Sequence, residues 1–350
     1  MRVLITGGCG FIGSAVVRMA VLDLGWSVLN VDLMTYAANA ANVERVADHQ
    51  DYRFLKADVA DLRAIRRAFA DFQPEAVIHL AAESHVDRSI TGSADFVRTN
   101  VVGTHALLEA AREYQSERDQ TARAAFRFLH VSTDEVYGSL GEGGLFTETT
   151  AYDPRSPYSA TKAASDHLVS AWHETYGLPT IIVNCSNNYG PNHFPEKLIP
   201  LVMLNAIEGR ELPIYGDGLN TRDWLFVEDT ARGIAAALRK GRPGQKYNLG
   251  GAAERTNLQV VQAICEILDR KRPGSQPHAD QIRFVEDRPG HDRRYAIDFT
   301  KARGDLGWAP QVSFTEGLER TVDWYLGNEA WWRPLRAAVY SGARLGLTAS

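Results

Sequence analysis

Cysteine is scarce in this sequence of 350 residues, which holds only Cys9, Cys185 and Cys265. An odd number of widely separated cysteines does not suit a disulfide framework, so we expect reduced thiols and a fold stabilised by its core. The run from Met1 into Arg2–Thr6 has neither the basic nor the long apolar region of an export signal. We therefore expect a cytoplasmic protein.

Long apolar runs and excess positive charge are also missing. No run approaches the roughly 18 to 20 apolar residues that cross a bilayer, so we expect no membrane span. The 38 Lys and Arg residues stand against 43 Asp and Glu residues, which gives a net charge of -5. Nucleic-acid-binding faces need clustered cations, so we expect no nucleic-acid partner. A pocket for a small anionic ligand needs only a few local cations and is compatible with this composition.

Short aliphatic runs alternate with stretches of helical spacing along the first half of the chain. The predicted strands are Arg2–Thr6, Ser27–Asp32, Tyr52–Ala57, Ala76–Ala82, Phe126–Thr133 and Thr180–Cys185. Apolar residues three and four apart predict helices such as Ser14–Leu24, Asp61–Phe72 and Thr104–Tyr114. This alternation predicts an α/β protein with a Rossmann-type, doubly wound parallel sheet.

The pattern of the sequence changes after about Asn188, where Gly and Pro residues separate shorter predicted helices and strands. We predict a Rossmann domain over residues 1–188, a smaller C-terminal α/β domain that binds the substrate over residues 189–330, and a tail over residues 331–350. Some crossing of the chain between the two domains is expected. The aromatic side chains in the helical stretch Thr321–Tyr325 are interpreted as packing.

A glycine-rich turn with the pattern G-x-x-G-x-x-G, at Gly7, Gly10 and Gly13, follows the first strand and opens onto a helix. Such glycines let the backbone approach a pyrophosphate at the positive helix N-terminus. Asp32 ends the second strand, where a carboxylate accepts hydrogen bonds from the adenosine ribose hydroxyls and repels a 2′-phosphate. These features predict NAD rather than NADP as the cofactor. Asp58, after the third strand, is either adenine-facing or an ordinary strand-end cap.

Tyr158 and Lys162 form a Y-x-x-x-K pattern, so a helix would present both side chains on one face. A phenol has a pKa of about 10 in water, and a neighbouring ammonium can lower it toward working pH. Tyr158 is therefore a candidate base for a sugar hydroxyl. An isolated pair of this kind is usually a solvated helix face, but the dinucleotide-binding pattern upstream favours catalysis.

Thr133, Asp134 and Glu135 follow the fifth predicted strand, at the sheet edge where open α/β proteins bind ligands. Oxidation of a hydroxyl needs only the tyrosine. An additional acid and base would suit a second step, in which a leaving hydroxyl is protonated and a proton next to a carbonyl is removed. Adjacent acids at a strand end are also common as solvated loop charges, and this alternative stays open.

These patterns lie in longer runs that resemble the dTDP-glucose 4,6-dehydratases, which belong to the extended short-chain dehydrogenases. The resemblance covers about Met1–Tyr325. Its runs are the glycine turn, His79–Ile90, Thr133–Glu135, Pro157–Lys162, Asn184–Pro200, Leu212–Gly216, Arg222–Trp224 and Asp287–Tyr295. Cys9 replaces the alanine that is commoner in the turn, and the loop over residues 139–146 is short. Neither departure removes a catalytic group.

The resemblance implies contacts with two ligands and no metal. The implied NAD contacts are Gly7, Gly10, Phe11, Ile12, Gly13, Asp32, Leu33, Met34, Thr35, Asp58, Val59, Leu80, Ala81, Ala82, Glu83, Ser84, Thr99, Tyr158, Lys162 and Asn188. The implied sugar-nucleotide contacts are Ser84, Thr133, Asn187, Glu196, Lys197, Leu198, Pro213, Ile214, Tyr215, Arg222, Asn257, Asp287, Arg288, Pro289, Gly290 and His291. A homodimer is implied by the resemblance alone.

The implied reaction converts dTDP-glucose to a 4-keto-6-deoxy sugar nucleotide. Tyr158, assisted by Lys162 and Thr133, would take the C4 hydroxyl proton while hydride passes to NAD. Glu135 would then remove the C5 proton while Asp134 protonates the departing C6 hydroxyl, and the hydride would return to C6.

Three alternatives stay open. A UDP-glucose 4,6-dehydratase could use the same acid pair. A nucleotide-sugar 4-epimerase needs the oxidation step but no elimination, so it leaves the acid pair without a role. A catalytically silent NAD-sensing protein could keep the glycine turn and Asp32, but it has no use for Tyr158, Lys162 and two acids together.

Overall fold

The chain is organised around one large parallel sheet in a computed structural model that describes residues 1–342 and Leu345. Its strands are β1 (Arg2–Thr6), β2 (Ser27–Asp32), β3 (Tyr52–Lys56), β4 (Ala76–His79), β5 (Arg127–Thr133), β6 (Thr180–Cys185), β7 (Asn187–Tyr189), β8 (Leu212–Tyr215), β9 (Thr221–Phe226), β10 (Lys246–Leu249), β11 (Glu254–Thr256) and β12 (Ile282–Val285). Its α-helices are α1 (Phe11–Leu22), α2 (Leu62–Phe72), α3 (Val86–Thr91), α4 (Ser93–Phe96), α5 (Gly103–Ser116), α6 (Gln120–Ala125), α7 (Pro157–Tyr176), α8 (Leu198–Ile207), α9 (Val227–Lys240), α10 (Asn257–Lys271), α11 (Phe314–Gly327) and α12 (Glu329–Ala338). Short 3-10 or π-helical segments cover Ala40–Val46, Val97–Val102, Asp134–Tyr137, His278–Gln281 and Ala302–Leu306.

Seven strands form the main sheet in the order β10-β6-β5-β4-β1-β2-β3, and all neighbouring strands are parallel. Successive side chains of a strand point to opposite faces. In β1, Val3 and Ile5 join a core with α1 and α9, whereas Leu4 joins a core with α2 and α5. Helices therefore cover both faces, which confirms the predicted doubly wound α/β fold.

The fourth strand is shorter than the sequence predicted and ends at His79 rather than Ala82. Its neighbour β1 ends at Thr6, directly opposite His79, so no residue of β1 pairs with the chain beyond His79. The amide of Leu80 still donates to the Thr6 carbonyl oxygen, at 3.2 Å. Beyond that point the chain leaves the sheet and lines a cavity at its edge.

Part of the second half of the chain returns to the main sheet. Strand β10 pairs in parallel with β6, with Asn248 opposite Asn184, and α9 packs against α1. The buried carboxylate of Asp229 on α9 accepts hydrogen bonds from the amides of Gln311 and Val312, at 3.0 and 2.9 Å. The expected crossing of the chain is therefore present, while the domain bounds at residues 1–188 and 189–330 stay predictions.

The remaining elements form a second core beside the carboxyl edge of the sheet. Two small sheets, β11-β9-β7 and β12-β8, pack with α8, α10 and α11. Thr321, Val322 and Tyr325 of α11 are buried, which supports their interpretation as packing. Of the predicted tail, residues 331–338 complete α12, and residues 343, 344 and 346–350 lie outside the described residues.

The scarcity of cysteine has the structural consequence expected from composition. Cys9, Cys185 and Cys265 are all free and buried. Within the described part of the chain, no helix is long and apolar enough to cross a membrane.

Candidate active site

Two cavities open at the carboxyl ends of the parallel strands, and Glu196 and Lys197 line both of them. The first cavity lies over the glycine turn and reaches Tyr158 and Lys162. The second lies between the main sheet and the second core, and Glu135 lines it. The side chains predicted to react therefore lie where the two cavities approach each other.

The glycine turn forms the floor of the first cavity. Its backbone leaves no room for a side chain at Gly7 or Gly13. Gly7 has a φ of 72°, and a Cβ atom there would lie 2.7 Å from the amide nitrogen of Ala81. A Cβ atom on Gly13 would lie 2.0 Å from the carbonyl oxygen of Gly7. Helix α1 begins after Gly10 without a capping side chain, which leaves amides of its first turn for an anionic ligand.

Asp32 ties this turn to the loop that follows β2. One carboxylate oxygen accepts the amide of Cys9 at 2.9 Å, and the other accepts the amide of Met34 at 2.8 Å. Burial raises the pKa of Asp32, and these two hydrogen bonds oppose that effect. The carboxylate is thus fixed against the cavity wall, at the place where a ribose would bind.

The first cavity contains the predicted cofactor residues with two exceptions, Met34 and Asn188. Asn188 instead donates to the carbonyl oxygen of Ser186 at 2.9 Å and accepts from Thr230. Met34 contributes its amide to Asp32. Both residues therefore support the loops of the site rather than line the cavity.

Asp58 is a strand-end cap that also lines the first cavity, and its position facing an adenine stays a prediction. Its carboxylate accepts the amide of Ala60 at 2.8 Å, as a strand-end cap does, and it also lines the first cavity. Arg98 donates to its second oxygen at 2.7 Å. The two interpretations are compatible because the cap lies at the cavity rim.

Sequence reasoning missed His193 and Phe194, which also line the first cavity. The ring of His193 stacks on Phe11, with 4.1 Å between ring centroids. Both residues lie in the run Asn184–Pro200 that carried the family resemblance, but nothing in their local pattern indicated a contact with the glycine turn.

Helix α7 places Tyr158 and Lys162 at the junction of the cavities. Ser156 caps the helix, and its hydroxyl accepts the amide of Ser159 at 3.0 Å. Tyr158 therefore lies in the first turn and Lys162 in the next, with relative exposures of 8% and 4%. The ammonium of Lys162 donates to the Val131 carbonyl oxygen at 2.9 Å, and burial lowers the pKa of Lys162 to about 8.

The surroundings of Tyr158 differ from the expectation of a directly paired phenolate. Its hydroxyl forms a hydrogen bond with the side chain of Thr133, which lowers the pKa of the phenol. Burial and the nearby Glu135 raise that pKa and outweigh the hydrogen bond. The expected lowering below the value in water is therefore not reached, because the Lys162 ammonium is directed to Val131 and not to the phenol oxygen.

Asp134 is buried and Glu135 is half-buried at the wall of the second cavity, which argues against the interpretation as solvated loop charges. Asp134 is 1% exposed, and burial followed by the nearby Glu135 raises its pKa well above the ordinary value. Burial also raises the pKa of Glu135, but the cations Arg288, Arg222 and Lys197 oppose this effect. The surroundings thus favour a protonated Asp134 and keep Glu135 the more acidic of the two.

The second cavity contains most of the residues predicted to bind the sugar nucleotide. Those that line it are Asn187, Glu196, Lys197, Leu198, Pro213, Ile214, Tyr215, Arg222, Asn257, Arg288 and His291. Ser84 lines the first cavity instead. Thr133 is buried between the two, beside Tyr158 and Asp134.

Three residues predicted as substrate contacts, Asp287, Pro289 and Gly290, do not line the second cavity. All three lie on the exposed side of their loop. Asp287 holds the loop in shape, because its carboxylate accepts the amide of Arg288 at 2.8 Å and lies 2.6 Å from the His291 ring nitrogen Nδ1. The loop therefore presents only Arg288 and His291 to the cavity, a distinction that the motif alone did not make.

His85, Val86 and Asp87, at the start of α3, line the second cavity and were not predicted as contacts. Asp87 accepts from Arg288 at 2.6 Å and so fixes one of the cavity cations. The run His79–Ile90 carried the resemblance, so the signal was present without a role attached to it. Leu201 and Trp224 complete the apolar part of the lining.

Three cations enter the second cavity from different elements. Lys197 donates to the carbonyl oxygen of Ser84 at 2.7 Å, and Arg222 lies over the Tyr295 ring with 4.2 Å from its guanidinium carbon to the centroid. With Arg288 they suit a diphosphate, which needs convergent cations. Among residues 1–342 and Leu345, no group of three or more His, Cys, Asp or Glu side chains could hold a metal ion.

The parallel sheet, the glycine turn on α1 and the Tyr158–Lys162 pair on α7 define an extended short-chain dehydrogenase. The sequence model described as GDP-mannose 4,6 dehydratase matches residues 4–321. The chain is 59% identical to a probable dTDP-glucose 4,6-dehydratase of Sinorhizobium fredii, over 99% of each chain. It is 56% identical to dTDP-glucose 4,6-dehydratase 1 of Escherichia coli K12, over 97% of each chain. This chain belongs to the dTDP-glucose 4,6-dehydratase family.

Solved structures agree with this assignment. The dTDP-glucose 4,6-dehydratase of Bacillus anthracis, solved in complex with NAD, is 42% identical with a TM-score of 0.85, and the match covers 96% of this chain and 99% of that one. A Thermus thermophilus UDP-glucose 4-epimerase, also in complex with NAD, is 30% identical with a TM-score of 0.83, over 94% of this chain and 100% of that one. The fold is thus shared with epimerases and does not by itself indicate the reaction. The feature that distinguishes the two reactions is the acid pair Asp134 and Glu135, which an elimination needs and an epimerisation does not.

The close approach at Gly7 leads to a stability prediction. Gly7→Ala should lower the free energy of unfolding by at least about 2 kcal/mol, because it combines a strained positive φ with a steric clash at Ala81. Gly25→Ala is the matched control: its φ is 61°, but no atom lies within 4 Å of the added Cβ, so about 1 kcal/mol is expected. Chemical denaturation measures both losses. Equal losses would show that Gly7 is required only for its φ.

Proposed function

We propose that this chain is an NAD-dependent dTDP-glucose 4,6-dehydratase, which forms dTDP-4-keto-6-deoxyglucose and water. The observation that carries the proposal is the pair formed by the buried Asp134 and the half-buried, cavity-lining Glu135. The pair follows β5, next to Tyr158 in the first cavity and beside the cations of the second. A reaction that oxidises a sugar and then eliminates water from it uses all these groups.

NAD fits the first cavity, where the glycine turn leaves amides for its pyrophosphate and Asp32 faces the ribose position. When bound, NAD supplies the acceptor for the C4 hydride and returns that hydride to C6. Tyr158 takes the proton of the C4 hydroxyl as a phenolate and becomes a neutral phenol, and the Thr133 hydrogen bond stabilises the phenolate form that acts as the base. Lys162 adds a positive charge one helical turn away.

Elimination follows because a ketone at C4 acidifies the hydrogen on C5. Glu135 removes that proton, and the cations Arg222, Arg288 and Lys197 help to keep its carboxylate ionised for this purpose. Asp134, protonated in its buried position, donates its proton to the C6 hydroxyl, which leaves as water. Glu135 then returns a proton to C5 when C6 is reduced.

The balance of protons adds a role for Thr133. Because C4 stays a ketone in the product, each turnover leaves Tyr158 with one proton gained and Asp134 with one proton lost. The Thr133 hydroxyl hydrogen-bonds with Tyr158 and donates to Asp134 at 3.4 Å. It therefore offers a route by which the proton returns and both groups are reset.

The nucleotide of the substrate, the oligomeric state and the location of the protein are proposals that go beyond the family assignment. The cations Lys197, Arg222 and Arg288 suit any nucleoside diphosphate sugar, so preference for dTDP-glucose over UDP-glucose is supported by the named relatives alone. The homodimer is likewise supported by the family resemblance. The three free, buried cysteines support a cytoplasmic location.

The cofactor assignment predicts the behaviour of an Asp32 variant. Asp32→Ala should weaken NAD binding about tenfold or more and reduce the preference for NAD over NADP, because it removes a charged acceptor and a repulsive charge together. The measurements are the nucleotide released on denaturation and the affinities for both cofactors. Asp61→Ala, at the exposed cap of α2, is the control that should leave both unchanged. An unaltered NAD to NADP ratio in the Asp32 variant would contradict the assignment.

The reaction itself is tested by separating oxidation from elimination. Asp134→Asn combined with Glu135→Gln should still oxidise C4 but slow dehydration at least about 100-fold, since the acid and the base of that step are removed. Reduced cofactor should then accumulate after substrate is mixed with the enzyme, as its absorbance shows. Tyr158→Phe should slow the oxidation itself.

Normal dehydration by the double variant would refute the role of the acid pair. If the wild-type enzyme instead converted the substrate to its C4 epimer without loss of water, the protein would be an epimerase. Competition between dTDP-glucose and UDP-glucose in the same assay decides the nucleotide.

A further inference from the structure

A buried carboxylate that the proposed reaction does not use lies beneath Lys162. Asp166 is four residues further along α7, so Tyr158, Lys162 and Asp166 occupy successive turns of one helix face. Asp166 is fully buried and lines neither cavity. An ionised carboxylate is costly in such a place unless it is paired, so its presence calls for a partner charge.

The contacts of Asp166 lead back to Lys162 through a histidine. The Lys162 ammonium lies 3.3 Å from His130 Nε2, and the same nitrogen lies 3.3 Å from Asp166 Oδ1. The other oxygen, Oδ2, accepts from the hydroxyls of Ser132 and Tyr152, both at 2.8 Å. Within the part of the chain that the structure describes, Oδ1 accepts no hydrogen bond. It therefore faces the imidazole and the ammonium as an open acceptor.

Few other charges face this ammonium. Burial lowers the pKa of His130 to about 4, so the imidazole is neutral at working pH. Asp166 raises the pKa of Lys162 more than any other group does, followed by the thiol of Cys185 on β6. Other titratable groups near the pair include His79 on β4, Tyr137 after β5, Tyr152 before α7 and Lys246 on β10. Of the side chains in this set, Asp166 alone is a carboxylate.

We propose that Asp166 is a positioning residue for the oxidation step, which keeps the buried Lys162 side chain in its ammonium form through its negative charge. Without that counter-charge, the pKa of Lys162 would fall further, and less of the positive charge that Lys162 supplies one helical turn from Tyr158 would remain. The catalytic consequence rests on the proposed function. The charge state of Lys162 does not, and it can be measured without substrate.

The direction of the pH effect follows from the position of Lys162. Burial already lowers the pKa of Lys162 to about 8, so the ammonium is present below that pH and is lost as the pH rises through it. Removal of a nearby negative charge lowers the pKa further. The alkaline limit of C4 oxidation should therefore move to lower pH in a variant that lacks the Asp166 charge.

The experiment compares Asp166→Asn with Tyr152→Phe. The first variant removes the charge, whereas the second removes a hydrogen bond to the same carboxylate and leaves the charge in place. Asp166→Asn should lower the alkaline limit of the single-turnover oxidation rate by about one pH unit or more, with KM for the sugar nucleotide unchanged. Tyr152→Phe should leave the limit in place, and Asp166→Glu should restore it.

A second measurement follows Lys162 itself. In protein labelled with 13C at the lysine ε-carbon, the Lys162 resonance is identified by its loss in Lys162→Met, and its titration midpoint is read directly. Wild type should titrate at the same pH as its alkaline kinetic limit, and Asp166→Asn should titrate lower. The wild-type comparison keeps the proposal testable if Asp166→Asn does not fold.

The possible outcomes distinguish failure of the proposal for Asp166 from failure of the proposed function. An unshifted Lys162 midpoint in Asp166→Asn, or equal kinetic shifts in Asp166→Asn and Tyr152→Phe, would overturn the proposal and leave Asp166 a structural residue. A shifted midpoint in a protein that does not oxidise the sugar would overturn the proposed function alone.

Discussion

The site depends on the burial of ionisable side chains of β5 and α7 at the carboxyl edge of the sheet. Each charge there is costly unless a partner is near, so the state of every group is set by its neighbours. Burial and the nearby Glu135 raise the pKa of Asp134, whereas Asp166 raises the pKa of Lys162 against the effect of burial. The positions of these side chains thus allow an acid, a base and a cation to coexist at one working pH.

The rest of the fold makes this placement possible. The return of β10 to the sheet covers the outer edge of β6, so β5 and β6 both lie inside the sheet. Arg222 and Arg288 come from the second core, and Asp87 of the first part of the chain fixes one of them. The cations that oppose the rise in the pKa of Glu135 therefore reach it only when both parts of the chain are assembled around the second cavity.

The sequence predicted the sheet, the glycine turn and the acid pair because each depends on local spacing. It could not give the end of β4, which is determined by where its neighbour β1 stops. It assigned Lys162 directly to Tyr158, since helix spacing shows a shared face but not the Val131 carbonyl that takes the ammonium. The stack of His193 on Phe11 was missed for the same reason: it joins distant segments through tertiary contact.

The central claim is that one enzyme-bound hydride leaves C4 and returns to C6 while Glu135 handles the C5 hydrogen as a proton. Turnover of dTDP-glucose carrying deuterium at C4, analysed by mass spectrometry and NMR of the product, tests this directly. The account predicts deuterium at C6 and, for unlabelled substrate in heavy water, label at C5. Deuterium that stays at C4, or that is lost wholly to solvent, would contradict it.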